Sequence, residues 1–401
     1  MSENSSVEIK KKILIVCNYY LPGFKSGGSL RTIVNMVERL GDEFEFKIIT
    51  LDHDGDKIRY QNIEVNKWCQ AKNAQVFYLS QDAIKLLNLR KLINDTQPDA
   101  IYLNSVFATL TIFVLILKKI GQLPECKIVL APEGELSVGA LGLKAEKKKV
   151  FLKAAKITGL YDKLIWKTTS ELEKKEVKLF ISKFEKIFIA SNMPAGILLE
   201  NYRQNEKPPK TDENTRLIFL SRHMPKKNLN WFIKLLSIVE LKAEQCLILD
   251  IFGPIEDAGY WRESQELIKE LPANIKVTYK GSVSHNQVLS TLFNYHYFVL
   301  PTLGENFGHV FIEALAAGCP VITSNRTPWL SLDEKQIGWD LPLEKPQLWV
   351  EVLDKCINTD QAEYKQTSSN ARSFATNWLL NSEVKEATRK VLEYSTNKNF
   401  N

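Results

Sequence analysis

Two glutamates, Glu305 and Glu313, stand with seven residues between them in the segment Tyr297–Ser324, YFVLPTLGENFGHVFIEALAAGCPVITS. The segment reads as strand, glycine-containing loop, helix, stop, strand. Gly304 and Gly308 keep the turn clear of side chains. Phe311–Ala317 has the pattern of a helix, Gly318 suits the position just past its end, and Pro320 prevents continuation. A helix that starts beyond such a loop presents unpaired N–H groups and a partial positive charge, which suits a diphosphate. Glu305 lies in the loop. Glu313 lies inside the otherwise apolar run VFIEALAA, where a carboxylate is costly to bury without a partner. A ribose diol would be one such partner; a nearby base or backbone amide would be another.

The elements that must hold this segment are legible along most of the chain. Short β-branched apolar runs alternate with helical stretches. Lys12–Cys17, Phe44–Thr50, Ala74–Leu79, Asp99–Asn104, Cys126–Ala131, Leu164–Thr168 and Lys186–Ala190 read as strands in the first half. Leu217–Ser221, Leu247–Phe252, Ile275–Tyr279, Tyr297–Pro301 and Val321–Thr323 read so in the second. Most are continuous apolar runs, as strands buried on both faces of a parallel sheet require. Leu30–Leu40, Asn228–Val239 and Gln287–Phe293 supply crossover helices. The polar stretch Asn201–Thr215, with Pro208-Pro209, predicts a linker. The expected division is 1–200, linker 201–215, a second α/β domain at 216–375, and a terminal helical piece at 376–401. In open α/β sheets ligands bind beyond the carboxyl ends of the strands, so site residues should follow strands directly.

Composition narrows the class. At 401 residues, 44% hydrophobic and 25% charged, the chain has the make-up of a soluble globular protein of two or three domains. The net charge of +6 gives no argument for a nucleic-acid partner. The six cysteines are scattered without CxxC spacing and read as free thiols. The first residues lack a signal-peptide pattern, and the longest apolar stretch, Phe107–Leu117, is shorter than the about 20 residues that span a bilayer. A cytoplasmic location is expected. Lys144–Lys156 holds six lysines against one glutamate. It is either a solvated helix face or a patch for an anionic surface such as the inner face of a membrane. Asp52-His53-Asp54 has the look of a metal pair but sits away from the candidate donor loop. The histidines at 223, 285, 296 and 309 have no ligand spacing.

The run Glu305, Phe307, Gly308, Glu313, Ala314, Ala316, Gly318, Pro320, Val321 closely resembles the Glu-x7-Glu signature of the large retaining, family-4-like glycosyltransferases. Thr327-Pro328-Trp329 and Gly338-Trp339 resemble that family's polysaccharide- and lipopolysaccharide-assembly branch. The resemblance implies a GT-B fold: two Rossmann-like domains with parallel sheets facing across a cleft. It also implies a nucleoside-diphosphate sugar as donor, a glycan or lipid-linked hydroxyl as acceptor, and no metal or other cofactor. Arg222 and Lys227, just past strand Leu217–Ser221, fit the family's paired cations. Fixed positive charge in a dry cleft stabilises a departing diphosphate. With Glu305 they form the implied catalytic set. The implied donor set is Glu313, Asn306, Phe307, Gly308, His309 and the loop Gly281-Ser282-Val283. On the acceptor side the resemblance points to the Gly27-Gly28 loop after the first strand and to Glu133-Gly134-Glu135. Two departures mark that side: Glu133 stands where relatives often have histidine or arginine, and Asn104-Ser105 where they often have histidine. The last helix, Glu383–Tyr394 after Trp378-Leu379-Leu380, is expected to return to the N-terminal domain. Two other functions compete: a nucleotide-sugar epimerase of the same fold, and a non-catalytic nucleotide-sugar-binding protein.

Overall fold

The computed structural model describes residues 9–24, 27–55, 58–142, 145–181, 183–196, 207–211 and 213–397. The chain forms two compact units, Met1–Met193 with Ser382–Asn401, and Pro194–Asn381.

The first unit contains β1 (Lys11–Val16), β2 (Phe44–Leu51), β3 (Trp68–Ala71), β4 (Ala74–Leu79), β5 (Ala100–Asn104), β6 (Lys127–Ala131), β7 (Ile165–Thr168) and β8 (Lys186–Ile189). They lie in the order β3-β4-β2-β1-β5-β6-β7-β8, all parallel except β3 against β4. The continuous apolar runs follow from burial on both faces. Ile13 and Ile15 of β1 belong to one core layer, Leu14 and Val16 to the other. The layers are closed by α1 (Gly28–Leu40), α2 (Leu86–Thr96), α3 (Thr109–Lys119), α4 (Val138–Gly142), α5 (Ala145–Thr158) and α6 (Glu171–Phe180).

The second unit contains β9 (Asn214–Leu220), β10 (Cys246–Phe252), β11 (Ile275–Tyr279), β12 (Tyr297–Leu300), β13 (Val321–Ser324) and β14 (Gly338–Leu341). Their order is β11-β10-β9-β12-β13-β14, parallel throughout. Its helices are α7 (Leu229–Leu236), α8 (Ala258–Lys269), α9 (His285–Phe293), α10 (His309–Ala316), α11 (Pro346–Asn358) and α12 (Gln361–Leu380). Both sheets reverse their strand order once, between β1 and β5 and between β9 and β12, as doubly wound sheets do.

Every strand expected from sequence is present, with ends moved by a few residues. Two more, β3 and β14, are short edge strands whose polar residues (WCQA, GWDL) give no apolar run. The divisions also differ from expectation. The units part at Met193 and at Asn381. Within the stretch read as a linker, 207–211 is fastened to the second unit. Lys210 Nζ donates to the carbonyls of Ile357 (3.0 Å) and Thr359 (2.6 Å), and Lys207 Nζ to that of Ala317 (3.1 Å). Buried lysines with carbonyl partners leave no composition signal. Residues 201–206 and Asp212 lie outside the described residues.

The last helix, α13 (Ser382–Thr396), packs on α1, β1, β5 and β6 of the first unit. Val391 and Leu392 are fully buried there, Tyr394 stacks edge-on against Phe188 at 5.3 Å, and Lys385 pairs with Glu43 at 2.6 Å.

Two buried histidines make the second unit acid-sensitive. His223 is wholly buried among Phe219, Trp261 and Tyr279, and burial pushes its ring down to about 4. Burial and then the charges of Lys207 and Lys210 push His296 down to about 3, and its Nδ1 accepts from the Arg216 N–H at 3.0 Å. Both folded values lie below the ordinary 6.5, so unfolding takes up protons between them. Their contribution to stability is present above about pH 6.5 and is lost as pH falls towards 4 and 3. The urea midpoint is expected to drop between about pH 7 and pH 5, and to drop less in His223→Phe. Equal midpoints at the two pH values would contradict this.

Candidate active site

The reversal between β9 and β12 brings together residues that are far apart in sequence. Beyond β9, Pro225–Lys227 forms a tight turn closed by Asn228 at φ 61°. The loop beyond β12 is stitched to it. The Leu303 N–H donates to Lys226 O at 2.8 Å. This stitching sets Lys227 Nζ directly on the Glu305 carboxylate, 78 positions away in the chain. Both side chains are almost buried, at 11% and 12% exposure. Thr302 Oγ1 donates to the same Glu305 oxygen at 3.1 Å. Burial alone would raise the Glu305 carboxyl; the charges of Lys227 and Lys226 and the hydrogen bonds from Lys227 and Thr302 outweigh it and hold the group below its ordinary value. Burial lowers the Lys227 ammonium, against the pull of Glu305. The pair is an ion pair in a nearly dry pocket, and Glu305 Oε2 takes no hydrogen bond from the described residues.

Arg222 stands on the same turn, half-exposed, and pairs with Glu256 at 3.0 Å. Its position depends on Gly253, which no sequence motif marked. Gly253 has φ 126°, and a Cβ there would lie 1.9 Å from Ser221 O. Only glycine lets the end of β10 come this close to the residue before Arg222. The Gly253 N–H also donates to Gly281 O at 2.9 Å, which ties in the Gly281-Ser282-Val283 loop.

Gly308 takes φ 72° at the start of α10, with no side chain capping the helix. A Cβ there would lie 2.6 Å from the Phe311 ring. At the other end the Cys319 N–H donates to Ala314 O and the Gly318 N–H to Leu315 O, both at 2.9 Å, which closes the helix as a Schellman motif. Glu313 is buried within this helix, and His285, just past the Gly281 loop, places Nδ1 3.8 Å from its carboxylate. The loops after β9, β10, β11 and β12 therefore gather Arg222, Lys227, Glu305 and Gly281 at the carboxyl ends of one sheet, with Glu313 in the helix that follows β12.

The Phe307 side chain turns into the core. Its ring is buried, 5.5 Å from Trp329, 5.6 Å from Trp378 and 4.9 Å from His309. Trp329 Nε1 donates to Phe307 O at 2.6 Å. The ring of Phe307, expected among the donor contacts, anchors the loop in an aromatic cluster, because an aromatic ring between two tryptophans gains more from burial than from a wet loop. His309 is buried beside it, and Asn306 stays in the loop.

In the first unit Gly27, at φ 66°, precedes α1, and Asn104 Nδ2 reaches across the strand-order reversal to Ser29 O at 3.1 Å. Glu135 is committed to the fold: its carboxylate accepts from Ser105 Oγ (2.8 Å) and from the N–H groups of Val106 (2.6 Å) and Phe107 (3.2 Å). Of the two departures read from sequence, Ser105 is thus tied to Glu135, while Glu133 is held separately. Glu133, at φ 51°, accepts from Asn192 Nδ2 at 3.1 Å, and the buried Lys167 donates to that same amide. Gly134 donates its N–H to Glu173 at 2.6 Å, and Thr169 does so at 2.7 Å. Burial, then the charge of Glu133, raises Glu173 to about 7. Asp52-His53-Asp54 braces a loop: His53 Nδ1 lies 2.8 Å from Asp52, and Asp54 accepts from the Phe24 N–H and the Tyr60 hydroxyl at 3.1 and 3.0 Å.

The two doubly wound units define a GT-B protein. Residues 201–374, nearly the whole second unit, match the family described as Glycosyl transferases group 1. That match and the fold support a glycosyltransferase. No curated protein matches the chain. Among solved structures, Anabaena HepE in complex with UDP and glucose is similar at TM-score 0.67 and 15% identity, over 96% of this chain and 100% of that one. Sucrose-phosphate synthase from Thermosynechococcus elongatus is similar at TM-score 0.67 and 16% identity, over 96% and 98%. WaaG, described as a glycosyltransferase involved in lipopolysaccharide biosynthesis, is similar at 0.66 and 14%, over 94% and 99%. At these identities the likeness concerns the fold.

Proposed function

We propose that this protein is a retaining glycosyltransferase that moves a sugar from a nucleoside-diphosphate sugar to a hydroxyl of a glycan or lipid-linked acceptor in bacterial surface-polysaccharide assembly. The observation that carries the reading is the buried Lys227–Glu305 pair, at the strand-order reversal of a unit that matches a glycosyltransferase family. Lys227 keeps N–H donors beyond the one given to Glu305, and these with Arg222 would take the diphosphate as the glycosidic C–O bond breaks. The uncapped start of α10 adds its partial positive charge. Glu305 would hold Lys227 and offer Oε2 to the donor sugar; Glu313 would meet the ribose. This cationic arrangement supplies charge without a metal. In this reading Glu305 holds Lys227 and Glu313 meets the ribose, which favours attack by the acceptor on the face the diphosphate leaves. The structures bound to UDP or UDP-glucose among those similar in fold support a uridine nucleotide as the first donor to try. The test is the anomeric configuration of the product by NMR: an α-linked donor should give an α-linked product. A β-linked product would overturn retention while leaving the transferase reading intact.

The exposed face of α5 supports a reading of where the acceptor is met. Leu152 is buried and Phe151 packs on Phe107 at 5.8 Å, so these face the core. Lys148 is also committed inward, to Ala140 O at 2.7 Å. Lys147, Lys149, Lys153 and Lys156 remain exposed, with Val150 and Ile157 at 66% and 86% exposure among them. Lys144 lies outside the described residues. No described helix is long and apolar enough to cross a membrane. We propose peripheral attachment to an anionic leaflet, at about 1 kcal/mol per basic residue. Wild type should co-sediment with phosphatidylglycerol vesicles at low salt and be released as salt rises, whereas Lys147→Gln/Lys149→Gln/Lys153→Gln should stay in the supernatant. Equal behaviour of the two proteins would make α5 a solvated face.

A further inference from the structure

Trp339 is left unused by the site above. It lies on the edge strand β14, at the amino ends of the strands and so away from the donor loops, and is half-buried. It lines a cavity of about 360 Å³ between β14 and helices α11 and α12. That volume is at the small end of the range for small-molecule sites.

The walls define the ligand. Beside the indole stand three amides, Gln336, Gln366 and Asn370, and two carboxylates, Asp333 and Glu363. The amides form a chain: Gln366 Nε2 donates to Asn370 Oδ1 at 2.9 Å, and Asn370 Nδ2 to Gln336 Oε1 at 3.2 Å. The chain links the three amides at the surface, while each keeps hydrogen-bonding capacity that no described residue uses. Lys355, with Nζ 5.6 Å from the Trp339 ring centre, is the one cation among the described residues of the lining, against two carboxylates. The net negative charge disfavours a phosphate, a nucleotide or an acidic sugar. A neutral polyol fits best. The C–H face of a sugar ring covers an indole, and its neighbouring hydroxyls match planar amides and carboxylates, which both give and take hydrogen bonds. We propose that this cavity is a second carbohydrate site that holds a segment of neutral glycan away from the donor loops. Such a site would keep a growing chain attached between transfers, since a tethered acceptor meets the donor site at raised effective concentration. The proposal uses no residue of the donor-side reading and stands or falls separately from it.

The test is saturation-transfer NMR on the full chain, with neutral trisaccharides of glucose, galactose, mannose and N-acetylglucosamine as probes. At least one should give signals from its ring C–H protons in wild type and equally in Glu305→Gln. Gln366→Ala/Asn370→Ala should weaken binding about tenfold through the lost hydrogen bonds, and Trp339→Ala should abolish it. Trp339 packs on Tyr297 at 6.3 Å, so if its variant does not fold the amide variant, on the outer side of α12, carries the test alone. Three results overturn the proposal: no signal from any probe, unchanged affinity in the amide variant, or loss of signal in Glu305→Gln.

Discussion

Lys227→Ala is expected to lower turnover about a hundred- to a thousandfold, the usual cost of removing one fixed donor from a developing negative charge. It should also destabilise the second unit. Glu305 would be left in a pocket with its side chain 12% exposed and without its cation. Breaking a buried pair on one side costs about 3–5 kcal/mol, because the remaining charge is neither solvated nor compensated. The two effects separate in the double variant Lys227→Ala/Glu305→Gln. Removing the orphaned charge should restore most of the lost urea midpoint and none of the turnover. Turnover that returns together with the midpoint would reduce Lys227 to a structural role. Wild-type turnover in the folded single variant would remove it from the site altogether.

Gly253→Ala is the second large effect. The added methyl would sit 1.9 Å from Ser221 O, a backbone atom of β9's end, at φ 126° where alanine is already strained. Neither strand end can yield without breaking sheet pairing, so the cost should be on the order of 4 kcal/mol, with Arg222 displaced as well. Gly281→Ala is the control. It too has positive φ, 82°, but no atom lies within 4 Å of its Cβ position. It should cost only about 1–2 kcal/mol, the backbone penalty alone. Similar melting temperatures for the two variants would show that the approach at Gly253 is relaxed in solution.

The fold was legible because its strands are buried on both faces, so β1, β5 and β9 announce themselves as apolar runs. The edges β3 and β14 were not, since their short polar sequences, WCQA and GWDL, hold no apolar run. The stretch from Gly304 to Pro320 carried loop, helix start and helix stop in order, and all three are local properties that a sequence displays. What joins Lys227 to Glu305 is the neighbouring of β9 and β12, a matter of topology that local pattern leaves open. Gly253 shows the same limit: a lone glycine at a strand end reads as a turn, and the carbonyl it accommodates lies one strand away. Phe307 and Trp329 sat in a motif and were read with it, whereas hydrophobic burial turned both rings inward. On the acceptor side Glu133 and Asn104-Ser105 read as departures, and the hydrogen bonds that hold them, Ser105 to Glu135 and Asn192 to Glu133, join residues 30 and 59 positions apart that local pattern does not connect.

The most direct test of the donor site is a thermal-shift measurement with a panel of nucleoside-diphosphate sugars, UDP-glucose first. A ligand that binds only the folded chain raises its melting temperature by mass action. The account predicts a rise with at least one nucleotide sugar, lost in Lys227→Ala/Glu305→Gln and retained in Gln366→Ala/Asn370→Ala. A panel that leaves the wild-type melting temperature unmoved, or a rise that persists undiminished without Lys227 and Glu305, would contradict it.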